Sequence, residues 1–169
     1  MGTRLLSESL IRKRFPHLRY VRIHSLGKHM ATIYAWDDQL RLDDADRIAL
    51  KRFAATDLVP YVCFKIKEYS RIQEEKVPQA EEIPDSVYRA AMTRSLDLQG
   101  IVGVMNEMFS EGRIAFNEYN PWTGTIYLDV STTNALTPVE KELIHRYLYE
   151  LVPLGATFEV RYGCIPAPQ

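Results

Sequence analysis

Only two cysteines, Cys63 and Cys164, occur in 169 residues, and neither stands in a metal-ligand or redox spacing. Their scarcity argues against a disulfide framework and a thiolate zinc site, and both are read as reduced packing residues. No run of about 18 apolar residues is present, so no segment reads as a membrane-crossing helix. The opening residues Met1-Gly2-Thr3-Arg4-Leu5-Leu6-Ser7-Glu8 lack the apolar stretch of a secretion signal. The expectation is a soluble, cytoplasmic protein. Low-complexity tracts and phosphate-cradling glycine loops are also missing. No Ser/His/Asp or Cys/His set can be nominated, because such groups meet in space rather than along the chain. A non-catalytic protein without cofactor or resident metal is therefore expected.

What is present is, first, an uneven charge distribution. The formal net charge is −1, yet up to Ala31 the basic residues Arg4, Arg12, Lys13, Arg14, Arg19, Arg22 and Lys28 face Glu8 alone. The remainder of the chain is correspondingly acidic. Arg12, Lys13, Arg14, Arg19, Arg22 and Lys28 are thus candidates for contact with an anion or nucleic acid, or for attraction to the acidic remainder or to a second copy. The aspartates Asp37, Asp38, Asp43, Asp44 and Asp46 lack calcium-loop spacing, and the last three suit the positive end of a helix. His17, His24 and His29 have no ligand spacing and are expected at solvent-facing positions around a hairpin, and His145 on a helix surface.

The second feature is an internal repetition. Thr32-Ile33-Tyr34 recurs as Thr125-Ile126-Tyr127 and Leu58-Val59-Pro60 as Leu151-Val152-Pro153, both at an offset of 93 residues. Two matches on one diagonal point to a duplicated unit. The local patterns agree. Arg113 to Tyr119 alternates as a strand, Asn120-Pro121-Trp122-Thr123-Gly124 carries turn chemistry, and Thr125 to Val130 returns. Thr137-Pro138-Val139-Glu140 opens a helix with a cap, an N1 proline and a capping-box glutamate. Its stripe is Val139, Leu143, Tyr147 and Leu151, widened by Ile144 and Leu148, before the strand Thr157 to Tyr162.

The first half repeats this order: Val21 and Ile23, a turn at Ser25 to Lys28, a strand from Met30 to Trp36, a helix capped by Asp43 through Ile48, Leu50 and Phe53, and a strand from Tyr61 to Lys67. Each hairpin follows a helix, Leu5 to Phe15 and Ile101 to Phe109. The fold class expected is α+β: two αββαβ units at 1–69 and 99–169, each a three-stranded sheet with helices on one face, joined by a linker and connecting helix over 70–98. Residues 19–69 and 113–162 should be equivalent. A right-handed crossover makes each unit ferredoxin-like without its first strand.

Gly100-Ile101-Val102-Gly103 falls between two expected helices, after a strand and before a hairpin. That order resembles a KH RNA-binding domain, and the resemblance implies a loop clamping a nucleic-acid backbone. Ile101 and Val102 stand where KH loops commonly place a basic residue, and small residues that let helices pack closely explain the same motif. Among the aromatics, Trp122 is singled out because it sits in a turn, either folded back over the sheet or offered to a partner; folding back is expected. The functional expectation is a non-catalytic binding or assembly module acting as an intramolecular pseudo-dimer, with a protein partner or self-association. The alternatives are nucleic-acid binding through the basic segment and a small-ligand or metal sensor with its site between the halves.

Overall fold

The structure is a computed structural model and describes residues 2–58, 62–69, 82–110 and 112–164. Val59 and Pro60 of the first repeated tripeptide, Tyr61 of the expected strand, and residues 70–81 of the expected linker lie outside the described residues.

An alternating strand, β1 (Tyr20–Gly27), and a nearly continuous apolar, buried one, β2 (Met30–Trp36), form a hairpin with Ile23 opposite Ile33. Its turn is Lys28-His29 rather than Ser25 to Lys28. Both residues have positive φ, 52° and 60°, the backbone a two-residue connection needs to match the strand twist. Asp43 caps helix α2 (Asp44–Phe53), its carboxylate accepting the Asp46 N–H at 2.7 Å. A π-helical turn, Ala54–Leu58, follows, and β3 (Cys63–Lys67) pairs parallel to β2. Helix α1 (Arg4–Arg14) precedes the hairpin.

The remaining elements are α3 (Asp85–Ala91), α4 (Leu98–Met108), β4 (Gly112–Asn120), β5 (Thr125–Thr132), α5 (Pro138–Leu151) and β6 (Thr157–Cys164). β4 is antiparallel and β6 parallel to the central β5. Among the described residues the chain is therefore α+β, with two three-stranded mixed sheets, β1-β2-β3 and β4-β5-β6, and five α-helices. The helices before the hairpins end alike. Phe15 and Phe109 are C-caps of α1 and α4, at φ −125°, ψ 69° and φ −115°, ψ 83°, with N–H groups on the carbonyls of Ile11 and Met105.

Each sheet has its own core. Ile11, Phe15, Ile23, Ile33, Leu50 and Phe64 pack in the first; Met105, Ile114, Leu128, Val130, Ile144 and Leu148 pack in the second. Leu154, from the loop after α5, is buried in the first core. The connecting helix is shorter than expected and ends at Ala91, and its Val87 belongs to the second core.

Three sequence expectations are corrected here. Of the expected stripe, Ile144, Leu148 and Leu151 are buried on α5 but Val139 is exposed, because a strict four-residue repeat drifts by about 120° over three steps of a 3.6-residue helix. Ile48 is likewise exposed while Leu50 is buried. Gly100 to Gly103 lies within α4, with Ile101 buried, so there is no loop there to clamp a backbone and the KH-like reading fails.

The cap of α5 has the expected residues in a variant arrangement. Thr137 Oγ1 accepts the Glu140 N–H at 3.2 Å and its hydroxyl donates to the Glu140 carboxylate at 3.0 Å. Thr137→Ala removes both bonds and is expected to cost about 0.5–2 kcal/mol, measured by urea denaturation with helix content followed by circular dichroism. Unchanged stability would reject the capping role.

Candidate functional site

A buried polar cluster joins α1 to α5. Arg4, Glu8 and Glu150 are 7%, 4% and 9% exposed, a depth at which a lone charge would be prohibitively costly. Here they satisfy one another. Arg4 Nη2 donates to Glu150 Oε1 at 2.8 Å and to Oε2 at 2.9 Å, Nε donates to Oε2 at 3.1 Å, and Nη1 reaches Glu8 Oε1 at 2.5 Å. Fork geometry of this kind suits guanidinium and not ammonium. Burial pushes the Glu8 carboxyl above its ordinary range, opposed by Arg4, the Ile23 N–H and Arg12. Burial alone would lower the Arg4 pKa, but Glu8 and Glu150 more than offset it.

Glu8, together with Arg12 and Tyr149, also closes the outer edge of β1. Edge strands present unpaired N–H and C=O groups that invite foreign pairing. Glu8 Oε1 accepts the Ile23 N–H at 2.8 Å, Arg12 Nη2 donates to the Val21 carbonyl at 2.9 Å, and the Tyr149 hydroxyl accepts the Ser25 N–H at 3.3 Å. Burial raises the Tyr149 pKa, and its oxygen is also 3.3 Å from His24 Nδ1. At the edge of β4 one residue, Asn106, does the corresponding work. Its amide donates to the Ile114 carbonyl at 3.0 Å and accepts the Ile114 N–H at 2.8 Å.

The tips of the two hairpins meet. The His29 N–H donates to the Gly155 carbonyl at 3.0 Å, the Gly155 N–H donates to Ser25 Oγ at 3.1 Å, and His29 Nε2 lies 3.5 Å from the Pro121 carbonyl. Gly124, at φ +67°, lies against the His29 ring so closely that a Cβ would sit 3.0 Å from it. Beside this junction opens a largely apolar pocket of about 360 Å³, lined by His29, Leu98, Tyr119, Ile126, Pro153 and Leu154 among others. Tyr119 and Ile126 are cross-strand partners, and between them the turn carries Trp122. Trp122 is 92% exposed. The expectation that it folds back over the sheet is not met, because Asn120 Oδ1 holds the Trp122 N–H at 3.0 Å and the Asn120 carbonyl holds the Gly124 N–H at 2.9 Å, a turn that directs the indole outward.

The basic candidates are not gathered on one surface. Arg12, Lys13 and Arg14 end α1; Arg12 is tied to Val21 and Arg14 lies over the Phe15 ring at 5.3 Å. Arg19 is exposed before β1, Lys28 is exposed in the turn, and Arg22 alternates with the core residues Val21 and Ile23, which puts it on the opposite face of the sheet from α1. Asp43, Asp44 and Asp46 sit at the start of α2 as expected, and Asp46 pairs with His17 at 2.9 Å. Among the described residues no group of three or more His, Cys, Asp or Glu side chains is arranged to hold a metal, and no helix is long and apolar enough to cross a membrane. His24 and His29 are half-buried at the junction rather than solvent-facing.

Sequence reasoning missed Arg4, Glu8, Tyr149 and Glu150. One available signal was Glu8 itself, the lone acid of a basic segment, four residues after Arg4. No protein-family model, curated protein or solved structure matches the chain.

Removing one partner from a buried charge cluster strands the others, so Arg4→Met should destabilise the fold by about 3–5 kcal/mol. Glu8→Gln tests the electrostatics separately. The folded pKa of Glu8 is raised above the ordinary value of 4.5, so its favourable contribution is complete below that value and is lost as pH rises through the folded pKa. The groups facing it are Arg4, Arg12, Glu150 and the Ile23 N–H. Urea denaturation across this range should find wild type gaining on Glu8→Gln as pH falls. A gain in the opposite direction would reject the assignment.

Proposed function

We propose that the chain is a non-catalytic binding or assembly module built as an intramolecular pseudo-dimer of two αββαβ units, and that it engages a protein partner through Trp122. The duplication is supported by the repeated tripeptides, the common strand order and sense, the matched Phe15 and Phe109 caps, and the corresponding roles of Arg12 and Asn106 at the edges of β1 and β4. The single observation that carries the binding reading is an indole held 92% exposed on a hydrogen-bonded turn beside an apolar pocket. Solvated tryptophan is costly, and tryptophan dominates the energetic centres of protein interfaces. The scattering of the basic residues over opposite sides of the first sheet favours this reading over nucleic-acid binding, which draws on one continuous positive surface.

Trp122→Ala leaves no cavity, so stability should stay within about 0.5 kcal/mol of wild type. Immobilised wild-type protein should retain a protein from native lysate through a wash at about 0.5 M salt, and Trp122→Ala should not. Retention of nucleic acid that vanishes as salt rises and is insensitive to Trp122→Ala would support the alternative instead.

A further inference from the structure

A knob and a hole lie side by side on this molecule. The knob is Trp122, and the hole is the apolar pocket whose walls include Tyr119 and Ile126, the paired residues at the two ends of the turn that carries it. Trp122 does not line the pocket beside it. The Asn120–Gly124 turn is pinned from within by the Asn120 contacts and from below by the His29 ring and the Thr157 N–H, which donates to the Gly124 carbonyl at 2.9 Å. Reaching its own pocket would require the turn to break these bonds.

Resting on the binding reading above, we propose that the occupant of the pocket is Trp122 of a second copy of this chain, exchanged reciprocally across a twofold axis. A surface carrying both a projection and a complementary recess is self-complementary, which is the requirement for an isologous dimer: the knob of each copy fills the hole of the other and the assembly closes at two. The chemistry matches. The recess is apolar along Leu98, Ile126, Pro153 and Leu154, and its polar-tipped members are His29 and Tyr119, an environment for an amphipathic ring with one N–H. Its volume, about 360 Å³, is at the small end for ligand sites and accommodates one bicyclic side chain.

The area sets the strength. A tryptophan covers about 150–250 Å², so two exchanged indoles, with the smaller recess walls that receive them, bury on the order of 600 Å². That falls short of the roughly 1,000 Å² that a stable specific interface clears and lies in the weak, transient range. The proposed dimer is accordingly weak and reversible, not obligate.

The test uses the purified full chain in sedimentation velocity and tryptophan fluorescence from about 5 to about 500 µM. Trp36 is buried within the chain itself, so a concentration-dependent emission shift reports Trp122. Expected are a monomer–dimer transition, a parallel blue shift, and loss of both in Trp122→Ala. Ala156→Phe, which fills the recess while leaving the knob in place, should also stay monomeric with far-ultraviolet circular dichroism like wild type. If that variant misfolds, Leu98→Phe serves the same end from another residue of the lining. A wild-type monomer throughout the range overturns the proposal, as does a dimer that survives Trp122→Ala. A monomer that still retains a lysate protein through Trp122 overturns self-association alone and leaves the binding reading intact; loss of both removes the two together.

Discussion

One guanidinium sets how the two sheets are joined. Arg4 is held between Glu8 on its own helix and Glu150 at the far end of the chain, and the arrangement tolerates no independent movement of either partner. A buried ion cluster of this kind adds little net stability compared with apolar residues of the same shape. Its effect lies in specificity: a fork donating three hydrogen bonds to one carboxylate accepts one relative placement of α1 and α5, whereas apolar side chains accept several. The flanking contacts all respect that placement. Thr3 Oγ1 donates to the Ala91 carbonyl at 2.6 Å, the Leu154 N–H donates to the Gly2 carbonyl at 2.8 Å, and Leu154 itself enters the first core.

The same cluster explains why two three-stranded sheets do not continue into one another through β1. Its outward groups at Val21, Ile23 and Ser25 are taken by Arg12, Glu8 and Tyr149. Two of these are side chains of α1 and one belongs to α5, so the strand is covered only when the helices are docked. On β4, Asn106 takes both outward groups of Ile114. The asymmetry has a physical sense: α1 must serve both its own sheet and the junction with α5, and a charged residue that binds in several directions can do both. An amide with one donor end and one acceptor end suffices where only the local edge needs closing.

How much of this was legible depended on the range of the interaction. Strand alternation, the caps at Asp43 and Thr137, and the 93-residue offset are local or periodic signals, and the element order follows from them. Boundaries erred where geometry overrides pattern. The four-residue stripe that includes Val139 drifts off the buried face, and Gly100 and Gly103 stay helical because Asp97 caps α4 and accepts the Gly100 N–H at 2.8 Å. The junction was out of reach for a different reason. Arg4 and Glu150 are 146 positions apart, and each taken alone reads as an ordinary surface charge. His29 looked solvent-facing because a hairpin tip usually is, but here another hairpin tip lies against it, while His24, within β1, meets Tyr149 of α5.

For the binding role proposed for Trp122, that contact between tips supplies preorganisation. An exposed aromatic on a loose loop loses ordering entropy when it binds, and much of its contact energy is spent on that loss. Here the turn is ordered beforehand by Asn120, by the Thr157 N–H below it and by the close approach of Gly124 to His29. His29 is in turn fixed through Gly155 and Ser25, in the strand whose edge the Arg4 cluster closes. A continuous set of hydrogen bonds and close packing thus runs from the buried ion cluster to the indole at the surface, so the geometry that joins the sheets is also the geometry that presents the knob.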